Sequence, residues 1–361
     1  GSDAQSNGRL YLRLDKYKSW FLLGDFNTQS ADRQVVRKLS AYNRSLNGVR
    51  HHYDADNIQI DSFASRETTR QVVEEIPANG TSGPYALKFD NLVANSEKIE
   101  IVTRDSDQPA VVIGSVAMQR FVDYTLEPFS GRILFRAPVA SLDENLNEQF
   151  VRVAYEVQQD GEEFWVAGAE VRVDVLEDVQ VGAAIVDDQN PQDPSQLRGV
   201  FARYESGNTS IVGELASSNR LSVGSGNAAR VEGKIREGRL QGRFQVSRSD
   251  PAFSNASSTL SRGRTEARGK FNYSLDDKNR LIVDLLSSKD ALTGRTKRGL
   301  FLAAERNFAN NVKVQLGVRS ESFDSPAQGA SLRTGTHENT NSVTARIDGP
   351  APIFPKVSLY G

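Results

Sequence analysis

The sequence predicts an all-β protein: an antiparallel transmembrane β-barrel of about sixteen strands, interrupted by a small inserted β-sandwich. Three observations predict it. Apolar and polar residues alternate strictly over many short runs, the period of a strand with two unlike faces. Short turns and long Ser/Gly/Asn-rich connections alternate along the chain, as the two ends of an outer-membrane barrel do. Between about residues 72 and 160 the texture changes, with tighter spacing and higher apolar content.

Taken in order, residues 8–71 supply barrel strands one to four. GRLYLRLD (8–15) alternates Leu10, Leu12 and Leu14 with Tyr11, Arg13 and Asp15, and KSWFLLGDF (18–26) follows a tight turn. LSAYNRSLNGVRHHY (39–53) and IQIDSFASRET (58–68) flank the turn DADN. Trp20, Phe21, Tyr42 and Tyr53 suit aromatic girdles at membrane interfaces. ADRQVVRKLSAY (31–42) has Val35, Val36, Leu39 and Tyr42 at helical spacing, which predicts a loop helix or the lead-in to a strand.

Residues 72–162 read as the insert. Pro77, Gly80, Gly83 and Pro84 are turn signals, and KIEIVTR, AVVIG, RFVDYTLEP, GRILFRAPV and FVRVAYEV are short strands. A sandwich of this size would have its own core and act as plug or cap.

Residues 163–361 supply barrel strands five to sixteen. RGVFARYE/SIVGELAS, AARVEGKI/RLQGRFQV, TEARGKFNYSL/RLIVDLL and RGLFLAAER/VKVQLGVR each flank a short turn and read as hairpins. Their connections (SSNRLSVGSGN, SRSDPAFSNASSTLSRGR, SSKDALTGRTKR, and the stretch from Ser320) read as long solvated loops. The faces separate cleanly. Val231, Ile235, Leu240, Phe244, Val246, Phe271, Val314 and Leu316 are expected to face lipid. Arg230, Glu232, Lys234, Arg239, Arg243, Arg268, Lys270, Lys313 and Arg319 are expected to face a water-filled lumen.

Composition narrows the function class. Lys and Arg total 44 against 46 Asp and Glu, a formal charge of -2, which argues against nucleic-acid binding. With no Cys, neither disulfides nor thiolate metal sites are available. Mean hydropathy is -0.48, and no run approaches the roughly 18 apolar residues of a membrane helix. A barrel needs only alternate residues to be apolar. The opening GSDAQSNG reads as a processed end or a cut within a longer protein. The close PKVSLYG, with Tyr360 one residue short of the end, predicts that further strands or another chain complete the barrel.

LLGDFNTQSADRQVVRKLSAYNRSLNGVRHHY, TSGPYALKFDNLVANSEKIEIVTRDSDQP, RFVDYTLEPFSGRILFRAPVASLDENLNEQFVRVAYEV and VGAAIVDDQNP resemble blocks in very large surface proteins of Gram-negative bacteria. Those proteins join repeated sandwich domains to a long outer-membrane-like β-region. The resemblance covers roughly residues 20 to 195. It implies an outer-membrane location and no catalytic residues. A sandwich among barrel strands is similar to the plug of fimbrial ushers as an analogy of architecture alone.

Candidate chemistry is sparse. Asp187, Asp188, Asn190 and Asp193 form an oxygen-rich loop that could hold Ca²⁺, though an ordinary polar loop is the favoured reading. His51 and His52 are adjacent on a strand, so they point to opposite faces and make a poor chelate. No nucleophile, phosphate-loop or zinc motif occurs in a convincing context. The expectation is therefore a non-enzymatic, cofactor-free outer-membrane protein serving as pore, secretion conduit or anchor for a surface assembly. The insert would gate it or dock a partner. Expected partners are outer-membrane lipid or lipopolysaccharide and further subunits or domains. The alternative is a soluble extracellular β-rich adhesin or glycan-binding protein.

Overall fold

The computed structural model describes residues 11–28, 37–93, 95–105, 108–143, 147–158, 162–258, 260, 262–308, 312–326, 335–349 and 357–360. They are all-β, without a helix. The first two hairpins are β1 (Tyr11–Lys16), β2 (Ser19–Asn27), β3 (Ser45–Ala55) and β4 (Ile58–Glu67). The insert holds β5 (Thr69–Pro77), β6 (Tyr85–Ala86), β7 (Lys98–Asp105), β8 (Gln108–Met118), β9 (Tyr124–Glu127), β10 (Arg132–Phe135) and β11 (Glu148–Gln158). The chain then runs through β12 (Phe164–Leu176), β13 (Val179–Asp188), β14 (Ser195–Ser206), β15 (Thr209–Arg220), β16 (Gly224–Glu237) and β17 (Leu240–Ser249). It ends with β18 (Arg264–Ser274), β19 (Asn279–Asp290), β20 (Thr296–Asn307), β21 (Lys313–Ser325), β22 (Thr336–Asp348) and β23 (Val357–Tyr360).

β1 to β4 and β12 to β23 make one antiparallel sheet of sixteen strands, each paired with its sequence neighbour except where β4 meets β12. Two-residue turns such as Gly207-Asn208 and Gly238-Arg239 join its hairpins. Both glycines have positive φ (55° and 53°), as the twist-matching hairpin turns require. The sheet is open: β1 and β23 form no ladder with each other among the described residues. The closed barrel predicted from the sequence is thus absent from them. Among the described residues the edge strands β1 and β23 comprise six and four residues.

The two faces of this sheet have inverted polarity. On β16, Arg230 is 2% exposed while its neighbour Val231 is 43% exposed. Glu214, Glu170, Arg172, Arg264 and Glu266 are buried on the same face as Arg230. Leu23, Ile185, Val200, Leu215, Val246, Leu285, Leu302 and Leu316 are exposed on the opposite face. We call the charged face inward and the apolar face outward. Aromatic rings fill gaps left by glycine on the outward side. A Cβ at Gly233 would lie 2.5 Å from a Phe244 ring carbon, because that ring lies across the glycine of the paired strand.

The insert is a two-layer sandwich. A four-stranded sheet, β5-β11-β7-β8, faces a three-stranded sheet, β6-β10-β9. Between them lie Tyr85, Ile133, Phe135, Val151, Val153 and Tyr155, all buried, with Tyr155 and Phe135 among the largest side chains. It begins at Thr69, directly after β4, and the chain returns at Phe164.

Two local expectations change. Trp20 and Tyr42 are not on the outward face. Trp20 is buried on the inward side, stacked on His52 at 5.4 Å, and Tyr42 stacks on Phe63. Phe21 and Tyr53 do face outward and are exposed. Residues 31–36 of the stretch expected to be a loop helix or the lead-in to a strand lie outside the described residues, and 37–42 are irregular on the way into β3. Stretches expected to be long loops are partly strand: β15 runs to Arg220 and β16 starts at Gly224, leaving three residues between them. Ladder hydrogen bonds need no apolar side chains, so strand ends beyond the apolar band carry Ser, Asn and Gly and look like loops in sequence.

Candidate functional site: the seam between insert and sheet

The inward face is not empty. The connection between β2 and β3 crosses it and is fastened there. The backbone N–H groups of Lys38, Leu39 and Ser40 donate to the Glu214 carboxylate at 2.8, 3.0 and 2.8 Å, and the Ser40 hydroxyl adds a fourth bond at 2.8 Å. Arg230 also donates to Glu214 (3.0 Å) and pairs with Glu232 (2.7 Å), which Lys38 reaches at 2.8 Å. Leu39, fully buried, packs with Ala216, Ala228 and Phe253. Asn255, from the β17–β18 connection, donates to the carbonyls of Leu39 and Ala41.

Arg44, at the end of this connection, joins three parts of the fold. Its Nε and one terminal nitrogen donate to the two Glu156 oxygens of the insert at 2.9 and 2.8 Å. Its other terminal nitrogen donates to Asp188 of β13 at 2.9 Å. A further bond, 3.1 Å, goes to the carbonyl of Thr69, where the chain enters the insert. Arg44 and Glu156 are each 2% exposed. Two fork-like bonds to a carboxylate give Arg a fixed geometry that Lys could not supply. Tyr42 donates to Asp188 at 3.2 Å, and burial pushes its hydroxyl well above the usual tyrosine range.

Two more contacts close the seam. Arg152 of β11 donates to the carbonyls of Ala256 and Ser258 at 2.8 and 3.1 Å. Lys98 of β7 donates to the side-chain oxygens of Asn27 (2.9 Å) and Asn43. Burial lowers the Lys98 ammonium to about 7, against the opposing pull of the Glu156 and Glu100 carboxylates. Released into water, Lys98 would titrate near its ordinary value of about 10.4. Between those values the released state binds more protons, so seating strengthens as pH rises from about 7 to about 10 and is weakest below 7. Amide-exchange protection of residues 37–44, corrected for intrinsic rates, should be greater at pH 9 than at pH 6. The difference should amount to a few kcal/mol, at roughly 1.4 kcal/mol per pH unit across that window. Lys98→Met should remove this pH dependence; if the profile survives, Lys98 is not its source.

Below the seam a cavity of about 870 Å³ separates Val112 and Ile113 of β8 from the inward face. Glu232, Lys234, Arg243, Arg268 and Lys270 line it. These five and Arg230, named from the sequence as lumen-facing, thus lie on one face. Arg319 lies on the same face in β21, over the Phe301 ring at 5.3 Å, and Lys313 has the same parity at the strand's start. Arg239 instead lies in the turn before β17 and donates to the Leu275 carbonyl. Val231, Ile235, Leu240, Phe244, Val246, Phe271, Val314 and Leu316 share the outward face by strand alternation and register.

The oxygen-rich loop after β13 is not assembled as a cation cage. Asp188 serves Arg44, Asp187 accepts from Gln189, the Asn190 oxygen accepts from the Gln192 N–H, and Asp193 pairs with Arg220. Among the described residues no group of three or more His, Asp or Glu could hold a metal ion. His52 turns inward to Asp61 (3.1 Å) while His51 is exposed on the other face. Sequence reasoning did not single out Arg44, Glu156, Lys98 or Glu214. The one signal was a break in alternation at LSAYNRS, just before β3.

No family model and no curated protein matches the chain. Among solved structures, the translocation pore of the P pilus usher (PapC) matches with a TM-score of 0.34 and 10% identity, over 95% of this chain and 68% of that one.

Proposed function

We propose that this chain is the wall of an outer-membrane pore, with the sandwich insert seated inside as a plug. The carrying observation is the inverted polarity of the sixteen-stranded sheet: charge buried inward, a continuous apolar face turned out. In water such a face would be a large aggregation-prone patch. In a bilayer it is the lipid-contacting surface of a barrel. Closure then comes about by β1 and β23 meeting directly or through further strands of a longer chain or another subunit. The short two-residue turns face the periplasm and the longer connections, with the insert, the exterior.

The role is passage, secretion or anchoring of a surface structure rather than catalysis. The Arg44 seam holds the closed state, and the cavity under β8 is the residual path. The test is purification in detergent, heat-modifiable gel migration and single-channel conductance in a planar bilayer. Expected are a folded, faster-migrating band and rare openings in a closed background. A chain that stays folded and monodisperse without detergent, and never conducts, would sink the proposal.

A further inference from the structure

The outward face is not uniformly convex. A groove of about 840 Å³ runs across it from β4 and β12 to β17. Its floor is apolar and shallow because outward positions there are small: Ala169, Ala183 and Ala229 sit beside Val200 and Leu215. Toward the long-connection end the lining turns polar within one step of the ladder. Arg198, Ser217 and Asn227 stand in register on three successive strands, and Arg248 lies opposite Ala229 on the next. Neither Arg198 nor Arg248 is within 4 Å of a carboxylate among the described residues, and both are exposed. Of the acids near this rim, Asp250 accepts hydrogen bonds from Asn227, and Asp187, one ladder step from Arg198 on the same face, accepts from Gln189.

We infer that this groove seats one acyl lipid with a phosphorylated headgroup, its chains along the alanine floor and its phosphate between Arg198 and Arg248. The inference rests on the membrane orientation proposed above, which puts the polar row in the outer leaflet. Charge complementarity selects the occupant. Two unneutralised guanidiniums beside an apolar trough match an anionic amphiphile, since Arg holds phosphate in a planar fork. A protein helix or strand would supply no matching anion by its backbone. Arg198 and Arg248 are separated by three inter-strand spacings, about 14 Å, so their side chains flank the trough instead of blocking it.

The experiment reconstitutes the full chain into phosphatidylcholine nanodiscs doped with bis-phosphorylated lipid A and counts retained lipid by native mass spectrometry. Wild type should retain one lipid A, and the double variant Arg198→Ala, Arg248→Ala at least tenfold less. Ala183→Phe, which fills the floor without touching charge, should also lower retention. Lys289→Ala with Arg298→Ala removes two outward cations elsewhere on the wall and should retain lipid normally. Equal retention by all variants overturns the inference, as does equal retention of dephosphorylated lipid A. Heat-modifiable migration is scored on every sample. A chain that does not enter the bilayer overturns both this and the pore reading; one that enters and holds lipid A indifferently overturns the groove alone.

Discussion

Val231→Arg is expected to impair membrane assembly while Lys234→Ser leaves it intact. Val231 lies at the middle of the outward face of β16, between Gly213 and Val246 of the flanking strands, and is 43% exposed. A guanidinium there would enter hydrocarbon at a cost of about 2–4 kcal/mol near the midplane. Lys234, three residues on, belongs to the inward face and lines the cavity, where water solvates its replacement. Ile235→Arg should cost less than Val231→Arg, because Ile235 lies close to the Gly238 turn and its side chain can reach the interface. Unfolding by urea from liposomes and the heat-modifiable band read the difference. If outward and inward substitutions behave alike, the face assignment is wrong.

Arg44→Ala should release the insert. The substitution leaves Glu156 buried and Asp188 with one donor fewer, and breaking one side of a buried ion pair costs about 3–5 kcal/mol. That corresponds to a shift of about 10² to 4 × 10³ in the ratio of released to seated forms. In a planar bilayer it should appear as a rise in open probability of the same order for as long as the closed state remains dominant, saturating once it does not. Arg44→Met combined with Glu156→Leu removes both charges, and apolar replacement of a buried pair is often nearly neutral. The double change should therefore restore most of the closed behaviour that Arg44→Ala loses. If Arg44→Ala alone leaves both conductance and protease resistance of the insert unchanged, the seam does not hold it.

The hairpins were legible because alternation is a local signal. Leu240, Gly242, Phe244 and Val246 declare their face without reference to any other strand, and the Gly238 turn fixes the register of β16 on β17. In the sheet order, β1 to β4 precede the insert and β12 to β23 follow it. The seam was not legible. Arg44 is one of 44 basic residues, and its partners Glu156 and Asp188 are 112 and 144 residues away. Nothing periodic links them, since their meeting depends on where the whole insert sits. The stretch around Leu39 suits a loop helix or the lead-in to a strand, and its described part, residues 37–44, leads into β3. Its apolar spacing suits a helix, yet residues 38 to 40 form a bend whose N–H groups donate to the Glu214 carboxylate. A side chain more than 170 residues away thereby decides the local backbone.

The point where the insert leaves and rejoins the wall has an evolutionary consequence. Glu67 of β4 pairs directly with Phe164 of β12, and two residues further on Thr69 pairs with Gln158 inside the insert. For the wall, the entire sandwich is the loop of one hairpin. Its stretch from Thr69 to the start of β12 can be exchanged for a tight turn, or for a different domain, without shifting the register of any strand. Lineages can thus exchange the inserted module on a fixed sixteen-stranded sheet, with selection acting afterwards on the contacts that the new module makes with the β2–β3 connection.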